Sequence, residues 1–327
     1  IEDNLNKAVS VRLESDVPIG CFLSGGIDSG LVAAMASRNS KEPIKTITVG
    51  FRSESMGSDE RDLARLTAKH YQTKHAELLI DDDEAYSLPH LLSHVGEPFD
   101  DPSLQLTAAV SKAARKTVKV VLTGDGGDDF WGGYQRVFAT FLGDRLKGII
   151  GAPATNLLSH LATYGRSISQ IRRAETVLSR GITSLIDLYA EKDTVFGWQE
   201  RSNLYKQCWL GQSQVNGARE IVEQQANIYS HLSKAEAYLR LDIGLKLPGR
   251  YLVKTDIASD SASIECRSPF LDQDLVQVAA RIPIAQKFIG CRQKGLLKEL
   301  SCKYLPPSVI RARKRGFAPH LDAWLRR

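Results

Sequence analysis

The sequence predicts an α/β fold: a parallel, doubly wound sheet with a helical C-terminal part. Three observations lead there. Apolar, β-branched runs at Ile19–Leu23, Ile44–Phe51 and His75–Ile80 alternate with segments of helical period through residue 80, the pattern of strands joined by crossover helices. A fourth apolar run, Lys119–Thr123, is followed like the first by a glycine-rich turn, and ligands of open α/β sheets sit beyond the carboxyl ends of strands. From about residue 135 to 250 the alternation stops, and helical patterns with irregular joins take over.

In chain order, residues 3–15 place Leu5, Ala8, Val9 and Leu13 at helical spacing. That helix leads into the buried strand Ile19–Leu23, the turn Ser24-Gly25-Gly26, and a helix starting near Asp28 with Leu31, Val32, Ala34 and Met35 inward. A strand, a glycine turn and a helix N-terminus together make an anion site, because backbone N–H groups and the positive end of the helix dipole point the same way. Gly25 and Gly26 let the backbone approach a ligand closely. Ser24 and Ser29 add hydroxyl donors for phosphate. Asp28 would repel a phosphate unless a cation lies between them, which points to Mg²⁺. The plainer alternative is a tight turn with Asp28 as helix cap.

The second strand, Ile44–Phe51, carries Val49 near its end. Ser58 is expected to cap the next helix, whose apolar positions Leu63, Leu66 and Ala68 continue to Tyr71. The strand His75–Ile80 is followed by an acidic cap at Asp81–Asp83. Residues 84–95 read as helical, residues 97–103 as a proline-bounded loop, and a helix follows from about Leu104 to Lys116. Lys119–Thr123 is apolar enough to be a central strand. It runs into Gly124-Asp125-Gly-Gly-Asp128-Asp129, where three carboxylates crowd into five positions. Such carboxylates repel one another unless a cation or hydrogen bonds compensate; the alternative is a solvated acidic turn. Further on, Glu265 and Arg267 flank a single residue, and Pro269 sets a turn before a helix led by Asp272. Structural salt bridging is an equal reading for that set. Lys294–Tyr304 is an amphipathic helix, and Leu305-Pro-Pro-Ser opens another that ends in the cluster Arg311, Arg313, Lys314 and Arg315 before Gly316.

Composition bounds the function. With 327 residues, 43% hydrophobic and 25% charged, the chain can bury a large core, in one big domain or two smaller ones. A boundary is expected near residue 150, dividing 1–150 from 151–327, with a hinge at Gly148–Pro153. The net charge of +5 is modest, so no nucleic-acid partner is expected and the 311–315 cluster reads as a local anion site. Cys21, Cys208, Cys266, Cys291 and Cys302 lack C-x-x-C spacing, which argues against a disulfide framework and a zinc site. No apolar run nears the roughly 18–20 residues of a membrane span, so no membrane partner is expected and the expected compartment is the cytoplasm. Ile1 and the helix-like Trp324-Leu-Arg-Arg327 are expected not to be natural ends.

Ser24-Gly-Gly-Ile-Asp-Ser29 resembles the PP-loop of the ATP pyrophosphatases, which cleave ATP between the α- and β-phosphates. It lacks the Gly-x-x-x-x-Gly-Lys-Ser/Thr pattern of a γ-phosphate loop. Together with Leu122-Thr-Gly-Asp-Gly-Gly-Asp-Asp129, Glu265-x-Arg267-x-Pro-Phe-Leu-Asp272 and Arg313-Lys-Arg-Gly-Phe317, it makes nearly the whole chain resemble the synthetase domain of the class B, glutamine-dependent asparagine synthetases. The resemblance implies a sheet of the PP-loop ATP pyrophosphatase (adenine nucleotide alpha hydrolase-like) type. It also implies a two-step reaction, in which ATP adenylates the side-chain carboxylate of aspartate, releasing pyrophosphate, and ammonia then yields asparagine and AMP. Ser24, Gly25, Gly26, Asp28 and Ser29 would hold the pyrophosphate, and Asp28 and Asp128 would be Mg²⁺ ligands. Leu23, Val49 and Gly124 would line the adenosine site, with Thr123 beside them. Lys314 would neutralise developing phosphate charge. Asp125 stands where many members have glutamate, the base for the attacking amine, and its shorter reach leaves that role open.

The sequence departs from the family at Ala258-Ser-Asp-Ser-Ala-Ser263, which replaces a Met-Ser-Met-Ala-His-Ser-like stretch, and at Asp129, where glutamate is usual. Ile1 cannot be the N-terminal cysteine of a glutaminase, so this segment alone should use free ammonia, with an N-terminal glutaminase domain expected in the intact protein and a homodimer compatible with the pattern. Two other readings stand beside aspartate amidation. One is an amide ligase acting on another acceptor, in β-lactam, peptide or polysaccharide biosynthesis; the other is a nucleotide-binding module without turnover.

Overall fold

The computed structural model describes residues 1–51, 60–80, 88–99, 101–164, 168–192, 194, 197, 202–205 and 217–312. In chain order the first elements are α1 (Glu2–Arg12), β1 (Ile19–Phe22), α2 (Ile27–Asn39), β2 (Lys45–Phe51), α3 (Arg61–His70), β3 (Lys74–Ile80), α4 (Leu88–Val95), α5 (Ser103–Ala114), β4 (Val120–Leu122) and α6 (Gly127–Trp131). The helices α7 (Gln135–Ile150), α8 (Ala152–Tyr164), α9 (Ser169–Ile182), α10 (Gly217–Ile228) and α11 (Lys234–Leu241) follow. A π-helical stretch, Asp242–Leu252, precedes α12 (Val253–Asp260), β5 (Glu265–Arg267), α13 (Gln273–Arg281), α14 (Gly295–Ser301) and α15 (Pro307–Arg311).

The strands form one all-parallel sheet in the order β3-β2-β1-β4-β5. The order reverses between β1 and β4, so a crevice opens there at the carboxyl ends of the strands. β1 and β4 are short and apolar because both their faces are covered: Cys21, Val120, Val121 and Leu122 are all buried. On one side Ile47, Val121 and Ile264 pack with Ala114 and Val118. Near the carboxyl ends Leu106, Ala109 and Val110 of α5 pack against Phe22 and Val49.

The expected strands all form, with ends shifted by a residue or so. β5 was not expected as a strand. Three residues, two of them charged, carry no strand signal, and only pairing of Glu265, Cys266 and Arg267 with Val120, Val121 and Leu122 makes them one. Arg267 earns its place in the structure by closing α1, donating to the carbonyls of Arg12 (3.0 Å) and Glu14 (2.7 Å) and bridging Glu265 at 2.7 Å. Asp272 caps α13 through the N–H of Asp274 and pairs with Arg12 at 2.8 Å, so the structural reading of that charged motif holds. The expected caps at Ser58 and Asp81–Asp83 lie outside the described residues.

Chain contacts divide the protein into two compact units. One comprises residues 1–131, 247–282 and 294–327 and carries the sheet; the other comprises 132–246 and 283–293. A single cut near residue 150 therefore differs from this division, because the chain returns twice to the sheet-bearing unit. Among the described residues the second unit is helical, as the sequence predicts. Its core is Val137, Phe141, Leu188, Tyr189, Tyr238, Leu241 and Phe288 with their neighbours. Within it α7 and α9 touch backbone to backbone at Gly143 and Gly181, where a Cβ on Gly143 would fall 2.3 Å from the Val177 carbonyl oxygen. Lys234 closes the C-terminal end of α9, donating to the carbonyls of Arg180, Gly181 and Thr183 at 2.7–3.0 Å and pairing with Asp144 at 3.1 Å.

Candidate functional site

The site is built at the crevice between β1 and β4. Leu23, buried after β1, donates its N–H to the Ile47 carbonyl at 2.9 Å and so keeps the turn in line with the sheet. Gly26, not Asp28, is the N-cap of α2, which begins at Ile27. Asp28 is thereby placed in the first turn, facing the end of β4. Gly25 packs where no side chain fits: a Cβ there would lie 2.6 Å from Leu63 Cβ. The two serines behave differently. Ser29 is buried and its hydroxyl lies 2.9 Å from Ser24 Oγ and 3.1 Å from the Ser24 carbonyl oxygen, so it shapes the loop from within. Ser24 is exposed, and its Oγ accepts from the Gly26 N–H at 3.3 Å.

The second wall is the turn after β4. A Cβ on Gly124 would lie 3.0 Å from Asp28 Cβ and from the Ser29 nitrogen; one on Gly127 would lie 2.6 Å from Asp28 Cγ. Glycine is needed at both places because the α2 terminus comes so close. Gly126 has φ +87°, which carries the turn into α6. Thr123 Oγ1 donates to Asp125 Oδ2 at 2.9 Å and lies 2.8 Å from Ser268 Oγ. A hydroxyl has one proton, so Ser268 donates to Thr123 while Thr123 donates to Asp125. Thr255 Oγ1 reaches the same Asp125 oxygen at 3.5 Å.

Between the walls stands a residue that the sequence reading did not select. Lys294 is 5% exposed, and its ammonium pairs with Asp28 and with Asp128, the latter at 2.6 Å. Burial works against its charge, but the two carboxylates outweigh that and hold its pKa above the ordinary value. Its backbone is left-handed, φ +52°, at the N-cap of α14. The missed signal is the Gly295 directly after it. A lysine just before glycine is free to fold over a ligand, a pattern that Lys294-Gly295 shares with Lys314-Arg315-Gly316. Lys314 lies outside the described residues.

The structure thus brings together Ser24, Gly25, Gly26, Asp28 and Ser29 with Gly124 and Asp128, and sets Thr123 and Asp125 beside them. Val49 is half-buried against the α5 cluster at the end of β2. The donor set suits Mg²⁺: oxygen ligands from two carboxylates that already share a cation, with the remaining positions left to phosphate and water. Among the described residues no group of three or more His, Cys, Asp or Glu side chains forms a metal cluster, and a phosphate-bound Mg²⁺ requires none. Cys266, half-buried on β5, has its thiol pushed up to about 12 by desolvation, which keeps it protonated at neutral pH. The unusual segment 258–263 ends α12 and turns into β5. Ala258 is fully buried with Leu91, Leu104 and Ala108, and Ser263 takes φ +54°.

Comparison with known proteins places the chain in a family. The asparagine synthase family model matches residues 1–327. The chain is 30% identical over 327 residues to the glutamine-hydrolyzing asparagine synthetase 1 of Bacillus subtilis strain 168, covering 100% of this chain and 50% of that protein. It is 31% identical over 329 residues to a putative glutamine-hydrolyzing asparagine synthetase of Mycobacterium bovis, covering 98% of this chain and 48% of the relative. A third relative, from Methanocaldococcus jannaschii, is 38% identical over 133 residues, 40% of this chain and 25% of the relative. The chain spans about half the length of the first two. With the family model matched from end to end, and with Asp28 of the loop after β1 and Asp128 of the turn after β4 meeting at the switch point of a parallel sheet, the chain belongs to the asparagine synthase family.

Proposed function

We propose that this chain carries out ATP-dependent amide synthesis, converting aspartate to asparagine through β-aspartyl-AMP. The observation that carries the reading is the Asp28–Lys294–Asp128 arrangement, a charged triad held between a PP-loop and the Gly124–Asp129 turn. The aspartate side-chain carboxylate attacks the α-phosphorus of ATP and the bond to the β-phosphate oxygen breaks, releasing pyrophosphate. Ammonia then attacks the acyl carbon, loses a proton, and expels AMP.

Ser24, Gly25 and Gly26 form the pyrophosphate cradle, braced from within by Ser29, and Asp28 and Asp128 would hold Mg²⁺, which would screen the phosphate charge. Lys294 supplies a fixed positive charge where negative charge develops on the α-phosphate and pyrophosphate; Lys314 has the same proposed task. Leu23, Val49, Thr123 and Gly124 line the nucleotide side. Asp125 takes the proton from the attacking amine, its carboxylate oriented by Thr123 and Thr255. The nitrogen source is ammonia, supplied from glutamine in the intact protein; the relatives' glutamine-hydrolyzing names support this.

The test uses the intact protein with Mg-ATP and ammonium. Pyrophosphate release should depend on aspartate and match asparagine formed, mole for mole. Aspartate-independent release, or amide formed only on another acceptor, overturns the substrate. Thr123→Val keeps the shape but removes the hydrogen bond donated to Asp125. In a single turnover it should slow asparagine formation by roughly tenfold while leaving the first release of pyrophosphate nearer the wild-type rate. Single-turnover asparagine formation at the wild-type rate would remove Asp125 from the amine step.

A further inference from the structure

Helix α8, in the helical unit, is built inside out. Its buried positions are Thr155 and Ser159, the side facing the packed helices α7 and α9. Its large apolar residues are outside: Leu157 is 61% exposed, Leu158 45%, Leu161 58% and Tyr164 89%. At 3.6 residues per turn these four, with Pro153 and Ala154, fill one continuous arc of roughly 140°. A surface helix of a water-facing protein has the opposite polarity. The patch extends beyond α8. Leu146, Ile149 and Ile150 are exposed at the end of α7, where Gly151 at φ +80° turns the chain, and Ile168 is exposed just before α9.

The charges along its own segment carry one sign, bounded by Asp144, which Lys234 pairs, and by the buried Glu175. From Arg145 to Ala174 the sequence contains no Asp or Glu. Arg145 and Lys147 flank Leu146, Arg172 and Arg173 follow Ile168, and all four are exposed. Apolar side chains backed only by cations match an anionic, amphiphilic surface, with Tyr164 suited to the headgroup layer. A second copy of the chain fits less well, since a two-fold contact through this face would oppose cation to cation.

We propose that α8 and its flanking turns form an interfacial docking surface for an anionic lipid bilayer, lying in the membrane plane without spanning it. No described helix is long and apolar enough to cross a membrane, and the sequence expectation of no membrane partner weighed spanning runs alone. The surface makes no use of the nucleotide site's residues.

The experiment is flotation of the purified intact protein with vesicles of phosphatidylcholine alone and of phosphatidylcholine mixed with phosphatidylglycerol. Binding is expected to the anionic vesicles, weakened by salt. Leu157→Gln/Leu161→Gln and, separately, Arg172→Glu/Arg173→Glu should each lower the partition by roughly tenfold or more, with helical circular dichroism and aspartate-dependent pyrophosphate release unchanged. Absence of binding to the anionic vesicles overturns the proposal. So does binding that survives the leucine substitutions, which would be charge attraction alone. A dimer that dissociates in the leucine variant would assign the face to a second copy, and a face buried by another part of the intact protein would show as no binding.

Discussion

Lys294 concentrates several costs at one residue. It is buried, charged, and left-handed at φ +52°. Removing the ammonium leaves Asp28 and Asp128 facing each other across a water-poor gap, so Lys294→Ala should lose about 3 kcal/mol of stability and abolish pyrophosphate release. Lys294→Gly removes the same charge but relaxes the backbone, and should be about 1 kcal/mol more stable than the alanine variant. Urea denaturation of the pair checks both numbers. The pH dependence has a definite sign. Because the folded pKa is raised above 10.5, the stability contributed by the ammonium is complete below that value and disappears as pH rises through the folded one. The gap between wild type and Lys294→Ala should therefore stay constant from neutral pH to about pH 10 and narrow above it.

Elements differ in how much of them the sequence discloses. β1 to β4 and their crossover helices were legible because β-branched runs and helical periods report burial directly. The glycine turns at 24–26 and 124–127 were legible because at both places glycine follows closely on an apolar run. β5 was not, since three residues carry no period and its register comes wholly from β4. The Lys294 partnership was also hidden, for it joins residues more than 160 positions apart along the chain. The crossing of α7 and α9 is another contact that no single helix announces. Backbone meets backbone there: a Cβ on Gly143 would approach the Gly181 nitrogen to 2.6 Å as well as the Val177 carbonyl oxygen. Neither can rotate away, so Gly143→Ala should cost about 3 kcal/mol, the upper part of the usual range for overpacking. A shift in the urea midpoint measures it, and a change below experimental error would mean that the helices slide apart freely.

At the scale of the whole molecule, ligand binding and the helical unit should be separable. Mg-ATP is expected to raise hydrogen-exchange protection at Ser24–Ser29 and Gly124–Asp128, while the amides of α8 exchange unchanged. Protection confined to α8 would contradict the site assignment. The division into units was only partly legible: the change from strand to helix patterning near residue 135 marks the start of the helical unit, but nothing in local pattern tells that residues 247–282 and 294–312 rejoin the sheet. That return sets an order of assembly. A chain emerging from the ribosome at roughly 5–20 residues per second releases β1, β2, β3 and β4 with both aspartates of the site. It must then make residues 132–246 of the helical unit before β5 can complete the sheet edge, and residues 283–293 as well before Lys294 can join Asp28 and Asp128. During that interval the nascent sheet holds two facing carboxylates with no lysine and an uncovered β4 edge. Nucleotide-binding competence should be the last property the growing chain acquires, and the half-made sheet is the stage at which a chaperone would find the most to hold.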